Sequence, residues 1–259
     1  MIYFLKKYNL DENKGDLNIL DYEHHSAFHY YCKNDNPSFE IIKFFVNNKS
    51  EINLKGQYNK YTPLHFLISN KSSKKEIIDF MIESKSDLNI KNGNYDTPLL
   101  LSCRTESSSL DIMRSLIENK SDINLKDKTM NSSLYLLLKN EFLCLEKINF
   151  LIEKNADLNS EDEDLNTPLH IACQHPFLSI DVVKCLVENK SDLNKKDVFK
   201  NIPLHIASSN SRISSSIIIY LVESKSDINL QNSYFARPLD WALKNERISK
   251  DLNQYESIN

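Results

Sequence analysis

The chain has 259 residues, 41% apolar, 26% charged and 10% aromatic, a balance that builds a packed core and excludes collagen-like or disordered material. Lys and Arg number 32 against 36 Asp and Glu, and the net charge of −4 offers no general field for phosphate, which speaks against nucleic acid as a partner. Only 3 glycines occur, Gly15, Gly56 and Gly93, so the glycine-rich loops that cradle a dinucleotide or a triphosphate are excluded.

At the amino end, Met1-Ile-Tyr-Phe-Leu-Lys-Lys puts its charges after a short apolar stretch, the reverse of an export signal. The apolar run from Ile217 to Val222 is far shorter than the roughly 20 residues that cross a bilayer, so no membrane association is expected. The five cysteines, Cys32, Cys103, Cys144, Cys173 and Cys185, contain no C-x-x-C pair. An odd count without such pairs is the pattern of reduced thiols, and the expected location is the cytoplasm, with the nucleus as the other reducing compartment.

Taken in chain order, one four-residue motif recurs. It begins weakly as Ser26-Ala-Phe-His29 and continues as Thr62-Pro-Leu-His65, Thr97-Pro-Leu-Leu100 and Ser132-Ser-Leu-Tyr135. Thr167-Pro-Leu-His170, Ile202-Pro-Leu-His205 and Arg237-Pro-Leu-Asp240 complete the series. A second motif, an acid followed by Leu or Ile and then Asn, ends at Asn18, Asn53, Asn89, Asn124, Asn159, Asn194 and Asn229. Both advance by 35 residues with a single step of 36. From the second residue of the first motif to the following Asn the distance is always 26, whereas from Asn to the next motif it is 9, or 10 between Asn53 and Pro63. The extra residue therefore belongs to the segment containing Gly56, and a segment that accepts an insertion is predicted to be an exposed loop.

Within the constant stretch the apolar pattern predicts two helices. Thr caps and Pro in the first turn suit a helix start at each Thr-Pro-Leu-His, and Val182, Val183, Leu186 and Val187 form an apolar stripe on a second helix. The stripe recurs at Ile41, Ile42, Phe44 and Phe45, and at Ile77, Ile78, Phe80 and Met81, and needs the neighbouring repeat as its cover.

These motifs resemble the ankyrin repeat, with its T-P-L-H-x-A start and its acid-hydrophobic-Asn ending, over nearly the whole chain. The resemblance implies an all-α, ankyrin-type solenoid of helical hairpins joined by short β-hairpin loops. The expected organisation is a capping segment at 1–18, six full repeats at 19–53, 54–89, 90–124, 125–159, 160–194 and 195–229, and a truncated capping repeat at 230–259. The 35-residue period exceeds the usual 33 of the family, which places two extra residues between the helices. Where the family favours Gly after the second helix, this chain has Lys49, Lys85, Lys120, Asn155, Lys190 and Lys225. Either these residues take the left-handed conformation at about 1 kcal/mol each, or the longer connection alters the cap.

His29, His65, His170 and His205 share one slot, so a structural bridge between repeats, implied by the resemblance, explains them better than catalysis. His24, His25 and His175 read as surface residues without metal-ligand spacing, and Cys32, Cys103, Cys173 and Cys185 as buried small hydrophobes. Cys144 has no base placed near it, Glu161-Asp-Glu-Asp164 lacks the turning glycine of a calcium loop, and no catalytic motif is present. No catalytic residue, metal ligand or cofactor is assigned.

Partner contacts are expected where the repeat does not dictate the residue. Those positions are the loop-tip residues Tyr22, Tyr58, Tyr61, Asn94, Asp96, Val198, Phe199 and Tyr234, with Arg104 and Lys139 on the groove side. The resulting expectation is a non-catalytic, monomeric protein-interaction scaffold that binds an unidentified protein or peptide through its concave groove and hairpin tips. The alternative is an adaptor that recruits a substrate to a ligase or kinase, with the chemistry on another chain. At about 10 Å per repeat the stack is expected to be roughly 60–70 Å long. Small-angle scattering of the intact chain should give the distance distribution of such a rod, and a profile of a compact sphere would exclude it.

Overall fold

The computed structural model describes residues 16–105, 109–141 and 143–243. Of the proposed caps, residues 1–15 and 244–259 therefore lie outside the described residues. Thirteen helices occur among them, and no residue is in a strand. They alternate between a short first helix and a nine-residue second helix. The pairs are α1 (Ala27–Cys32) with α2 (Phe39–Asn47), α3 (Pro63–Ser69) with α4 (Lys75–Glu83), and α5 (Pro98–Arg104) with α6 (Leu110–Glu118). They continue as α7 (Ser133–Lys139) with α8 (Leu145–Glu153), α9 (Pro168–Gln174) with α10 (Ile180–Glu188), and α11 (Pro203–Ser209) with α12 (Ser215–Glu223), followed by α13 (Pro238–Ala242). No helix among the described residues is long and apolar enough to cross a membrane.

Each first helix begins as the motif requires. Pro occupies the first turn of α3, α5, α9, α11 and α13, where an N–H is not needed, and the hydroxyls of Thr62, Thr97 and Ser132 accept from the amides of His65, Leu100 and Tyr135. Each second helix ends in one recurring cap. The residue after it has φ between 62° and 76° at Lys49, Lys85, Lys120, Asn155, Lys190 and Lys225, so the left-handed alternative is the correct one. The amide of Lys190 donates to Val187 at 3.0 Å and that of Ser191 to Leu186 at 3.1 Å, and the same pair of bonds closes all six caps. Two carbonyls that a helix end would otherwise leave open are satisfied, which holds the strained residue in place.

The chain forms two compact units, one ending at Lys128 and the other beginning at Thr129. In the first, Phe28 stacks on Phe45 at 4.9 Å, and Ile42, Leu64, Leu67, Ile78, Met81, Leu99, Met113 and Leu116 are fully buried around the helix pairs. Phe39 of α2 meets Phe80 of α4 edge to face at 5.2 Å, the neighbour-covers-stripe packing that the apolar pattern requires. In the second unit Leu134, Leu138, Leu151, Leu169, Val183, Leu186, Leu204, Ile217 and Leu221 do the same.

The acid-hydrophobic-Asn motif is a clamp between successive repeats. Asn53 accepts from the amide of Asp87 at 2.8 Å through Oδ1 and donates to the carbonyl of Lys85 at 3.3 Å. Asn18 makes the same two contacts with Glu51 and Lys49, and Asn159 with Asp192 and Lys190. Within the motif the acid folds back on its own turn, as where Asp192 accepts from the Asn194 amide at 2.9 Å.

Because Lys190 has φ 75° and its backbone alone makes the cap, Lys190→Gly should relieve about 1 kcal/mol of left-handed strain, less about 0.5 kcal/mol for the freer unfolded chain. Urea unfolding should show a small net gain, and Lys190→Val, with its branched Cβ, a loss. The reverse order would mean that the lysine side chain, not the conformation, holds the cap.

Candidate functional site

Four of the loops between repeats are built on a buried Asp or Asn whose side chain replaces a strand ladder. Asn92 accepts from the amides of Asn94 at 2.8 Å and Asp96 at 2.9 Å, Asp162 from Asp164 and Asn166, Asp197 from Phe199 and Asn201, and Asn232 from Tyr234 and Ala236. These four are buried, so Asp162 does not belong to a fully solvated acidic tip. A backbone bond links several loops to the one before: Gln57 N–H to Glu23, Gly93 to Asn59, Lys128 to Asn94, Val198 to Asp164 and Ser233 to Phe199.

The inserted residue lies at the tip of the second loop. The closing bond spans Asp21 to His25, Asn92 to Asp96 and Asp197 to Asn201, but runs from Gly56 to Tyr61. Gly56 has no side chain because His25 fills that space, leaving a Cβ there only 2.3 Å from Nε2 of His25.

A second left-handed residue occurs in every loop, at His24, Lys60, Tyr95, Met130, Leu165, Lys200 and Phe235, with φ between 52° and 61°. None of the thirteen left-handed residues described is a glycine. Sequence reasoning missed this tip series, although its 35-residue spacing was available. Tyr95, Met130, Leu165 and Phe235 display large apolar side chains from it.

The structure separates the predicted contact residues into three groups. Tyr22, Tyr58, Asn94, Val198, Phe199 and Tyr234 are exposed at loop tips, Tyr22 almost completely. Tyr61 is half-buried and packs on His65 and Phe66 at 5.5 and 5.1 Å. Asp96 is not on the surface, since its carboxylate is buried and bonded to Nε of Arg104 at 3.1 Å. Nη2 of the same guanidinium donates to the buried carboxylate of Asp127. Burial raises the Asp96 carboxyl above the usual range, opposed by the Arg104 charge. Arg104 thus ties two successive loops together, while Lys139 stays exposed with its ammonium 5.7 Å from the Tyr135 ring. On the groove side, Lys33, Tyr61, Phe66, Ser69, Asn70 and Lys71 line an open depression of about 560 Å³.

The slot histidines bridge backbone groups. In His65, Nδ1 accepts from the amide of Thr62 at 3.2 Å, so Nε2 must carry the proton and donates to the carbonyl of Asp96 at 3.1 Å. His29 reaches Leu54, His170 reaches Asn201 and His205 reaches Ala236 in the same way. Burial holds all four below the ordinary imidazole value, His29 and His65 at about 4.

His175 is corrected from a surface residue to a buried one. It is 7% exposed, accepts from the Phe177 amide through Nδ1 and donates to the carbonyl of Asn140 at 2.9 Å. Asn70 and Asn210 occupy the equivalent place and donate to carbonyls of the preceding repeat, Asn34 at 2.6 Å and Cys173 at 3.0 Å. The first residue of the connection between the helices thus carries an inter-repeat tie.

Ligand atoms of Asp21, Glu23 and His25 lie within 4.8 Å of one another, a grouping that the His24-His25 spacing did not suggest. Both Asp21 oxygens are already engaged, by the amides of Glu23 and His25 and by the Tyr30 hydroxyl, and Nδ1 of His25 faces Glu23 at 3.3 Å. Cys32, Cys103 and Cys173 are fully buried, and burial pushes the Cys173 thiol up to about 12 and the Cys32 thiol well up. Cys185 is only half-buried and donates to Asn149 at 2.8 Å, and Cys144 precedes α8 half-exposed.

The histidine bridges carry a pH dependence of definite sign. The folded chain keeps His65 neutral down to about 4, whereas the unfolded chain takes up a proton near 6.5. Acid therefore favours unfolding, and stability should fall as pH drops through 6.5 toward 4. The slope of unfolding free energy between pH 7 and 5 should be shallower in His65→Gln, and an unchanged slope would remove His65 from the titration.

A family model described as ankyrin repeats in three copies matches residues 3–92, 28–127, 69–162, 99–197, 134–232 and 169–250. Comparison with curated proteins gives no match.

Proposed function

Since the chain belongs to the ankyrin repeat family, whose repeats are protein–protein interaction modules, we propose that it is a non-catalytic scaffold that holds a protein or peptide partner at its loop tips and groove. The observation that carries this reading is the contrast between rigid loop interiors and undictated tips. Asp and Asn side chains, buried carboxylates and the histidine bridges all serve the chain itself, whereas Tyr22, Tyr58, Phe199 and Tyr234 stand 52–99% exposed on loops already held by hydrogen bonds. An aromatic side chain on a pre-ordered loop loses little freedom on binding, which is why such residues serve as interface anchors.

The reading also assigns no reaction to the thiols. Cys32 and Cys173 are held protonated by burial and share a repeated slot with Cys103, as packing residues do.

Affinity capture from the source cell's lysate should recover a partner with the intact chain and lose it with a Tyr58→Ala, Phe199→Ala and Tyr234→Ala triple variant. The variant's thermal stability should stay within about 1 kcal/mol, as for other exposed positions. Equal capture by both proteins would move the site away from the tips, to the groove side of one unit at Lys33 or of the other at Lys139.

A further inference from the structure

The tips of two adjacent loops in the second unit, 195–202 and 230–237, form one continuous aromatic surface. The rings of Phe199 and Tyr234 stack at 6.4 Å with an interplanar angle of 21°, and the loops beneath them are joined by the Ser233 amide donating to Phe199 at 2.8 Å. Val198 is 45% exposed, Phe199 52%, Tyr234 65% and Phe235 81%. Phe235 is also left-handed, at φ 59°, so a large side chain occupies a strained position and gains no burial from it. Beneath them Asp197 and Asn232 each accept two loop amides, and Asn232 donates to Asn201 at 2.8 Å, which fixes the loops before any partner arrives.

The charges around this surface are unequal. Loop 230–237 contains no carboxylate, and the one in loop 195–202, Asp197, is buried and spent on loop amides and Asn201. Lys195 is paired with Glu161 and Arg237 with Asp240, but Lys196 and Lys200 are exposed and make no ion pair among the described residues. The loop that precedes 195–202, joined to it by the Val198 amide and by the Lys195–Glu161 pair, is acidic and carries Glu161, Glu163 and Asp164.

We infer that Phe199, Tyr234 and Phe235, with Lys196 and Lys200, are the docking surface for an extended acidic peptide segment. Its aromatic or large aliphatic residue sits on the ring pair and its carboxylates lie to one side of that anchor, over the two lysines. The inference rests on the scaffold reading above and adds to it the chemistry of the partner. A nucleic-acid strand fits less well, because its unbroken row of phosphates would have to pass the acidic loop, whereas a peptide carries its charge on one side only.

Nine-residue random peptides displayed on phage should be selected on the full-length chain, and the enriched sequences synthesised with a fluorescent label for anisotropy titration. Enriched peptides should carry an aromatic residue or Leu with two or more Asp or Glu on one side. Their affinity should fall at least tenfold in Phe199→Ala or Tyr234→Ala and in a Lys196→Glu and Lys200→Glu double variant, and should weaken as salt rises. Circular dichroism melts of each variant report that the loss is not unfolding. Enrichment of neutral or basic peptides, no enrichment, or a labelled single-stranded oligonucleotide binding as tightly would overturn the inference. So would self-association that the Phe199→Ala change abolishes in sedimentation, since the surface would then serve a second copy. Acidic peptides whose binding depends on Lys139 or Lys33 instead would sink this assignment and leave the scaffold reading intact.

Discussion

A seven-residue helix is nearly all terminus. Four amides at one end and four carbonyls at the other have no partner inside the helix, so a chain built from helices of seven and nine residues lives or fails by how those ends are satisfied. Here the first helices are closed by Thr or Ser hydroxyls and by Pro, and the second helices by a left-handed residue with two backbone bonds. Each repeat also reaches the next one, His Nε2 bonding a loop carbonyl and Asn the cap it faces. Part of the hydrogen bonding around each helix end is therefore shared with a neighbour, and one repeat alone would leave that part open, along with its apolar stripe.

The same constraint lets the described left-handed positions do without glycine. Left-handed residues recur at thirteen described positions, each at about 1 kcal/mol for a side chain with a Cβ, and lysine, tyrosine, leucine and phenylalanine hold them. In the caps the helix-end bonds offset that strain. In the tips the buried Asp or Asn does so, by accepting two amides across the turn. A loop stabilised from beneath in this way leaves its outer side chains free of structural duty. Tyr95, Phe199, Tyr234 and Phe235 occupy positions of that kind, and the framework fixes the loop that carries them without dictating what they are.

Much of this was legible in the sequence because a repeat repeats its physics. The two motifs in constant phase located both helices, the Thr-Pro starts, the common slot of His29, His65, His170 and His205, and the loop that takes the extra residue. Cys32, Cys103 and Cys173 declared themselves as core by sharing one position. What escaped were contacts that arise only when the chain packs, near or far along the sequence. Asp96 looked like a loop-tip acid until Arg104 and Asp127 were seen beside it, and His175 looked like a surface residue until Asn140 met its Nε2. Gly56 marked an insertion, but the reason for glycine was the ring of His25 in the preceding loop.

The sequence by itself determined the period, the helical hairpin and the residues that each repeat must bury, because helix caps and apolar spacing act over three to five residues and are written side by side. Only the tertiary structure decided which polar groups are consumed and which are displayed. Those decisions depend on pairings about 31 to 36 residues apart, such as His65 with Asp96, Asn53 with Lys85 and Cys185 with Asn149. No local pattern encodes whether a carboxylate at a loop tip meets an arginine or water. Stacking brings Phe199 and Tyr234, 35 residues apart, into one surface, and burial withdraws Asp96 from another.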